Sequence, residues 1–413
     1  MQSAVIFGAG SVGRGFIGQL FSESGMQVIF VDVVPEIIEG INRENSYPHI
    51  TVSNRGREQT IIRNVRAVHS ADEAKVVEAI VEASILATSV GANVLPKIAG
   101  VLARGLQQRA DMGRPPVNIL LCENLHGAAD FMREQLAGHL ADGQYDVALM
   151  QTGLLETSIG RMIPVPSAET RAIHPAAVCV EPYKFLPYDA AAVKGTMPAI
   201  TGLVGDLSVP FQFYSDRKLY IHNLGHCFCA YLGEMSGDGY IAQAIRRPEI
   251  RYLVRAAMLE SALALSVRYN QPVAVLFEHV DDLLARFGNR ELQDTVERVG
   301  RDPARKMAVG DRFLGALQMV CETEGPKRYL TLAVAVGLNK LCRENGWSVE
   351  QGLDYLRQVM LISEQDAKRI NRFMTRFGGS FDMNHLIEII DEEMSSEMKA
   401  DDCFKITPDQ HRR

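Results

Sequence analysis

Three observations predict an α/β N-terminal domain followed by a mainly α-helical C-terminal domain. Short β-branched runs alternate with amphipathic stretches through the first half of this 413-residue chain. Long patterns with apolar positions at three- and four-residue intervals fill the second half. The third observation is the amino terminus, where Ala4-Val-Ile-Phe7 reads as a short buried strand running into Gly8-Ala-Gly10-Ser11-Val12-Gly13. The change of character divides the chain into 1–195 for the α/β part, 196–390 for the helical part and 391–413 for a polar tail expected to be exposed or frayed.

The glycine spacing justifies the first elements. Gly8 permits a tight turn, Gly10 lets the backbone approach a pyrophosphate, and Gly13 allows the next helix to pack closely, with phosphates at that helix's N-terminus. The helix is expected to reach about Ser24 and stop at Gly25, before a second strand, Gln27-Val-Ile-Phe-Val31, that ends at Asp32. An acid about 20 residues past the glycines suits the hydroxyls of an adenosine ribose and repels a 2′-phosphate. The pattern is Rossmann-like and favours NAD over NADP; ordinary turn glycines are the bland alternative.

Pro48–Val52 and Gln59–Ile62, separated by Asn54-Arg-Gly56, read as a polar-edged hairpin. Ile85–Thr88 and Val117–Leu121 read as later parallel strands, and ligands bind at the carboxyl ends of such strands. The turns there are Ser89-Val90-Gly91, able to bring backbone amides to the cofactor, and Cys122-Glu123-Asn124. Asn124 is either an amide near the nicotinamide chemistry or a turn-former. Helices are expected over 250–269, 273–287, 328–344, 349–358 and 364–377.

Composition narrows the function classes. A 47% hydrophobic chain of this length can bury two sizeable cores, and a net charge of -7 gives no footprint for nucleic acid or an anionic membrane. No apolar run approaches a bilayer span, and Met1-Gln-Ser leads into the first strand without a leader, so a cytoplasmic protein is expected. Seven scattered cysteines read as reduced thiols, and Cys227-x-Cys229 lacks the spacing and second ligand pair of a zinc site. No metal is expected. The remaining histidines, His49 among them, have no motif context.

The segment Lys218-Leu-Tyr-Ile-His-Asn223-Leu-Gly-His226 sets a basic, an amide and an imidazole group into an apolar stretch. At about 100° per residue they share an arc of roughly 140° on a helix and could converge on one small ligand. Burial disfavours a charged lysine and makes Lys218 a usable general base; a snorkelling lysine with satisfied core Asn and His is the alternative. From Arg298 to Arg312 five cations crowd a short run, with Glu297, Asp302 and Asp311 available to make it a solvated salt-bridge face.

Together, Gly8 to Gly18, Cys122 to Asn124, Lys-x4-Asn-x2-His at Lys218 to His226, Arg286-Phe-x-Asn289 and Val296 to Arg301 resemble the polyol-specific long-chain dehydrogenase (mannitol dehydrogenase) family over nearly the whole chain. The resemblance implies a metal-independent, NAD-dependent secondary-alcohol dehydrogenase. It implies Lys218 as general base, Asn124 and Asn223 at the reacting oxygen, and His226 holding the polyol. It also raises Arg301, Arg305 and Lys306 as candidates for a substrate phosphate, to which arginine is suited. The expected reaction interconverts a sugar alcohol phosphate and a keto-sugar phosphate, with mannitol 1-phosphate and fructose 6-phosphate the leading pair, in a monomer or small homo-oligomer.

One departure bears on substrate. Where the family commonly has an aspartate near the polyol, this chain reads Ile159-Gly160-Arg161, and Val180-Glu-Pro-Tyr-Lys184 also differs. A phosphate-free polyol dehydrogenase or a hexuronate reductase is the first alternative. An NAD-sensing binding protein that has lost catalysis is the second.

Overall fold

Strand β1 (Ser3–Phe7) sets the layering of the first half. Ala4 and Ile6 enter one apolar cluster and Val5 and Phe7 another, because successive side chains point to opposite faces. A sheet apolar on both faces needs cover on both, which is the situation of parallel strands joined by helices. The structure, a computed structural model, describes residues 2–140, 144–359, 362–377 and 382–400. It comprises two compact units, Met1–Lys218 with Asn289–Gln293, and Leu219–Gly288 with Asp294–Arg413.

In the first unit the strands following β1 include β2 (Gln27–Asp32), β3 (Ser46–Ser53), β4 (Gly56–Arg63), β5 (Val65–His69), β6 (Ile85–Thr88), β7 (Val117–Leu121), β8 (Thr152–Glu156) and β9 (Val178–Val180). Six form a parallel sheet in the order β5-β2-β1-β6-β7-β8. The order reverses beside β1, and that switch point opens the crevice in which such sheets bind ligands. The hairpin β3–β4 forms as expected and continues through β9 into a separate three-stranded sheet. The helices are α1 (Gly18–Glu23), α2 (Pro35–Glu44), α3 (Glu73–Glu82), α4 (Leu95–Asp111), α5 (Ala128–Ala137), α6 (Gln144–Met150), α7 (Ala168–Ile173) and α8 (Gln212–Arg217). Phe16, Ile17 and Leu20 cover one face of the sheet; Val76, Ile80, Leu102 and Leu106 cover the other.

The second unit is mainly helical in its described residues. It contains α9 (Leu224–Met235), α10 (Ile241–Ala244), α11 (Pro248–Tyr269), α12 (Val273–Phe287), α13 (Val296–Gly300), α14 (Pro303–Lys306), α15 (Leu314–Glu322), α16 (Arg328–Asn345), α17 (Val349–Val359), α18 (Glu364–Met374) and α19 (Met383–Ala400). Helix α11 ends with Asn270 in a left-handed conformation and α16 with Gly346 in one, ordinary terminators. The tail from Asp391, expected to be exposed or frayed, begins as the exposed continuation of helix α19 at Asp391 and Glu392. Once Leu386, Ile389 and Ile390 are buried, Glu, Met, Lys and Ala extend the helix at little cost as far as Ala400. Residues 401–413 of that tail lie outside the described residues.

Candidate active site

The glycine-rich turn divides its work as its spacing requires. Gly8 has φ +97°, and a Cβ there would meet the Ser89 carbonyl oxygen at 2.6 Å. A Cβ on Gly13 would collide with the Gly8 carbonyl oxygen, so close packing excludes a side chain. A Cβ on Gly10 would meet nothing within 4 Å. Gly10 therefore borders open space, the property that lets a pyrophosphate approach the backbone. Ser11 and Val12 follow, half-buried, and Gly13–Ile17 form a π-helical turn before α1. Such turns recur at functional sites.

Asp32 is bound into the same cradle. Its Oδ2 accepts from Ala9 N at 2.5 Å, while Oδ1 accepts from Val33 N and Val34 N at 2.7 and 3.0 Å. Across the switch point, Ser89 N donates to the Phe7 carbonyl at 2.8 Å and Ser89 Oγ to the Gly8 carbonyl at 3.1 Å. Glu123, buried at the end of β7, accepts from Thr88 Oγ1 at 2.6 Å and from Val90 N at 3.0 Å. Burial pushes its carboxyl above the usual range against the pull of those hydrogen bonds. Gly8, Gly10, Ser11, Val12, Gly13, Asp32, Ser89 and Val90 thus gather at the carboxyl ends of β1, β2 and β6. The open face at Gly10 among them could hold a dinucleotide.

Next to Glu123 stands Asn124, whose Oδ1 accepts from Lys218 Nζ at 2.9 Å. Two residues 94 apart in sequence meet at this carboxyl edge. Lys218 is half-buried and opens a second π-helical turn, Lys218–Asn223, between α8 and α9. A regular helix was expected here. The i→i+5 closure of the π turn sets residues five apart nearly above one another, which moves Asn223 toward the side of the helix that carries Lys218.

His226 follows in α9, with the stretch from Cys227 to Gly233 buried. Its Nε2 lies 2.9 Å from Asp294 Oδ2, and its ring stacks on Phe287 with centroids 4.9 Å apart and planes 14° apart. Arg298 Nε donates to Asp294 Oδ1 at 2.9 Å. Burial would raise the Asp294 carboxyl, but His226 and Arg298 outweigh it and hold it below the ordinary value.

The cationic run is already engaged. Arg305 pairs with Asp302 at 2.7 Å and Asp311 at 3.4 Å, so two of the three expected acids partner it. Lys306 is buried and donates to the carbonyls of Val299, at 2.6 Å, and Arg301. Arg301 Nε donates to the Arg298 carbonyl at 3.5 Å.

Sequence reading missed the residues that hold these groups. Arg161 is buried; its Nη1 donates to the Gly15 carbonyl at 2.9 Å and to Gln19 Oε1 at 2.6 Å, and its Nε donates to the Glu181 carbonyl at 2.8 Å. The segment beside Gly160 is thereby tied to the first π turn. A Cβ on Gly160 would make ordinary contact with the Tyr183 ring, at 3.4 to 3.7 Å. Glu123 was visible as part of a motif, but nothing in the sequence linked His226 to Asp294. Cys227 and Cys229 are buried free thiols, and among the described residues no three His, Cys, Asp or Glu side chains are grouped to hold a metal ion. No described helix is long and apolar enough to cross a membrane.

Two family models match the chain: the mannitol dehydrogenase Rossmann domain over residues 2–202 and the mannitol dehydrogenase C-terminal domain over 211–396. A protein named mannitol-1-phosphate 5-dehydrogenase from Brevibacillus brevis is 34% identical over 337 residues, covering 81% of this chain and 85% of its own. One of the same name from Caldanaerobacter subterraneus subsp. tengcongensis is 33% identical over 360 residues, covering 87% and 91%. Among solved structures, a substrate-free D-sorbitol dehydrogenase superposes with a TM-score of 0.74 at 14% identity, covering 90% of this chain and 92% of its own. Pseudomonas fluorescens mannitol 2-dehydrogenase in ternary complex with NAD and D-mannitol gives 0.69 at 17% identity, covering 95% and 94%. The chain belongs to the mannitol dehydrogenase family and is an oxidoreductase acting on a CH–OH group.

Proposed function

We propose that this chain is an NAD-dependent polyol dehydrogenase that interconverts mannitol 1-phosphate, or a closely similar sugar alcohol phosphate, with a keto-sugar phosphate such as fructose 6-phosphate. The observation that carries the reading is the 2.9 Å bond from Lys218 Nζ to Asn124 Oδ1, at the carboxyl edge of the sheet that carries the glycine cradle. The names of the two relatives support the substrate.

Bound nicotinamide would take up or return the hydride. Everything else falls to side chains. Lys218, neutral, accepts the hydroxyl proton during oxidation; as ammonium it returns that proton during reduction. Asn124 orients Nζ, and the Asn124 and Asn223 amides act as donors toward the oxygen where alkoxide charge develops. His226 binds the polyol chain, and Arg301, Arg305 and Lys306 are the proposed phosphate contacts. The protein is proposed to work on small molecules in the cytoplasm.

A phosphate-free polyol or a hexuronate is the second reading. It is favoured by Gly160 and by the partners already held by Arg305 and Lys306. The test assays polyols and keto sugars, with and without phosphate, for NADH change in wild type and Lys218→Ala. Loss of about 10²- to 10⁴-fold in turnover with NAD binding retained is expected for the variant. Undiminished turnover in Lys218→Ala removes the lysine from catalysis. Inactivity of wild type on every substrate leaves the NAD-sensing alternative.

A further inference from the structure

Asp294 uses both carboxylate oxygens in the second unit, Oδ1 on Arg298 and Oδ2 near Nε2 of His226. The aspartate itself is anchored: its carbonyl accepts from Ile241 N at 2.9 Å, and the neighbouring Thr295 forms an antiparallel bridge with Tyr240. Phe287, stacked on the imidazole, limits its rotation. His226 Nε2 is buried, and the approach of Oδ2 at 2.9 Å is not aligned as a straight hydrogen bond. The distance alone decides the proton's position. A lone pair on Nε2 facing an anionic oxygen at 2.9 Å would be repelled, whereas N–H is attracted.

We propose that Asp294 is a positioning residue that fixes neutral His226 in the Nε2–H tautomer, so that Nδ1 is presented to the substrate as a hydrogen-bond acceptor. A lone pair there takes a hydroxyl and rejects a carboxylate or phosphate oxygen, which offers no proton. At this position the substrate presents a sugar hydroxyl, which selects the polyol stem over an acidic group. The inference rests on the reading that His226 meets the polyol; its tautomer half does not.

The test is nitrogen-15 spectroscopy of histidine-labelled protein in alkaline buffer, with His226→Gln used only to assign the signal. Wild type is expected to show a protonated Nε2 and an unprotonated Nδ1. In Asp294→Asn the amide NH₂ can donate to Nε2, so the tautomer is expected to switch to Nδ1–H. KM for the polyol should rise about tenfold or more while NAD affinity stays within about twofold. A wild-type signal from Nδ1–H overturns the proposal without needing any variant to fold. An unchanged tautomer in a folded Asp294→Asn protein overturns the positioning role. A switched tautomer with unchanged polyol KM overturns the substrate half. Failure of wild type to turn over any polyol or keto sugar would instead count against the proposed function, since the spectrum is read without substrate.

Discussion

Asp32 bonds Ala9 N in the glycine turn, and in the proposed NAD reading the same carboxylate sets the charge met by an adenosine ribose. Asp32→Asn keeps the shape and an acceptor while deleting the charge. Its ratio of kcat/KM with NAD to that with NADP is expected to fall roughly 10- to 100-fold, the worth of a charge-assisted hydrogen bond at about 1.5–3 kcal/mol. Equal wild-type efficiency with both cofactors would overturn the assignment. Arg305 poses the opposite question, because its exposed guanidinium already has two acidic partners. If it also reads a substrate phosphate, Arg305→Ala lowers the ratio of kcat/KM with phosphorylated to unphosphorylated substrate by a similar factor. If its only work is the surface pairs, both substrates change alike and stability shifts by under about 1 kcal/mol.

At the scale of elements, the glycine turn, in the proposed NAD reading, separates folding from binding within three residues. Gly13→Ala forces a methyl group onto the Gly8 carbonyl and is expected to cost about 1–3 kcal/mol of stability, read as a lowered thermal transition. Gly10→Ala meets nothing and should leave that transition unchanged while weakening NAD binding in a titration. Comparable losses of stability in both would refute the division. This contrast was legible in the sequence because strand, glycine spacing and following acid all lie within about 30 residues. So were the hairpin and most long helices, whose periodicity is local. The π turn at Lys218–Asn223 was not legible, since nothing in an apolar stretch distinguishes i→i+5 from i→i+4 closure. Nor was the pairing of His226 with Asp294, which depends on the packing of α9 against distant residues.

Across the whole molecule, two buried titratable groups make the units respond oppositely to pH. Burial, assisted by Arg161, pushes His49 in β3 from 6.5 down to about 4. An unfolded chain takes up that proton below pH 6.5 and the folded one does not. The group's stability is therefore full above 6.5 and lost on acidification toward 4, about 3 kcal/mol in all. Glu260 in α11 accepts from Tyr329 N and Leu330 N, yet burial raises it from 4.5 to about 7. Here the folded state keeps the proton longer. Stability is greatest below 4.5 and declines by up to about 3 kcal/mol as pH rises to 7. Hydrogen exchange should show protection of β3 falling and that of α16 rising between pH 6.5 and 5; Glu260→Gln should flatten the second trend. Parallel trends in the two elements would contradict the assignment. The return of Asn289–Gln293 to the first unit has a consequence for synthesis. Asn289 Nδ2 donates to the Val52 carbonyl at 2.9 Å across 237 residues, and Leu292 packs on Ile50 and Val52. At roughly 5–20 residues per second, the ribosome leaves β3 waiting about 10–50 s for these partners. The nascent first unit thus emerges with an apolar gap on its hairpin, and the residues that close it are supplied only after Leu219–Gly288 of the helical unit has been translated.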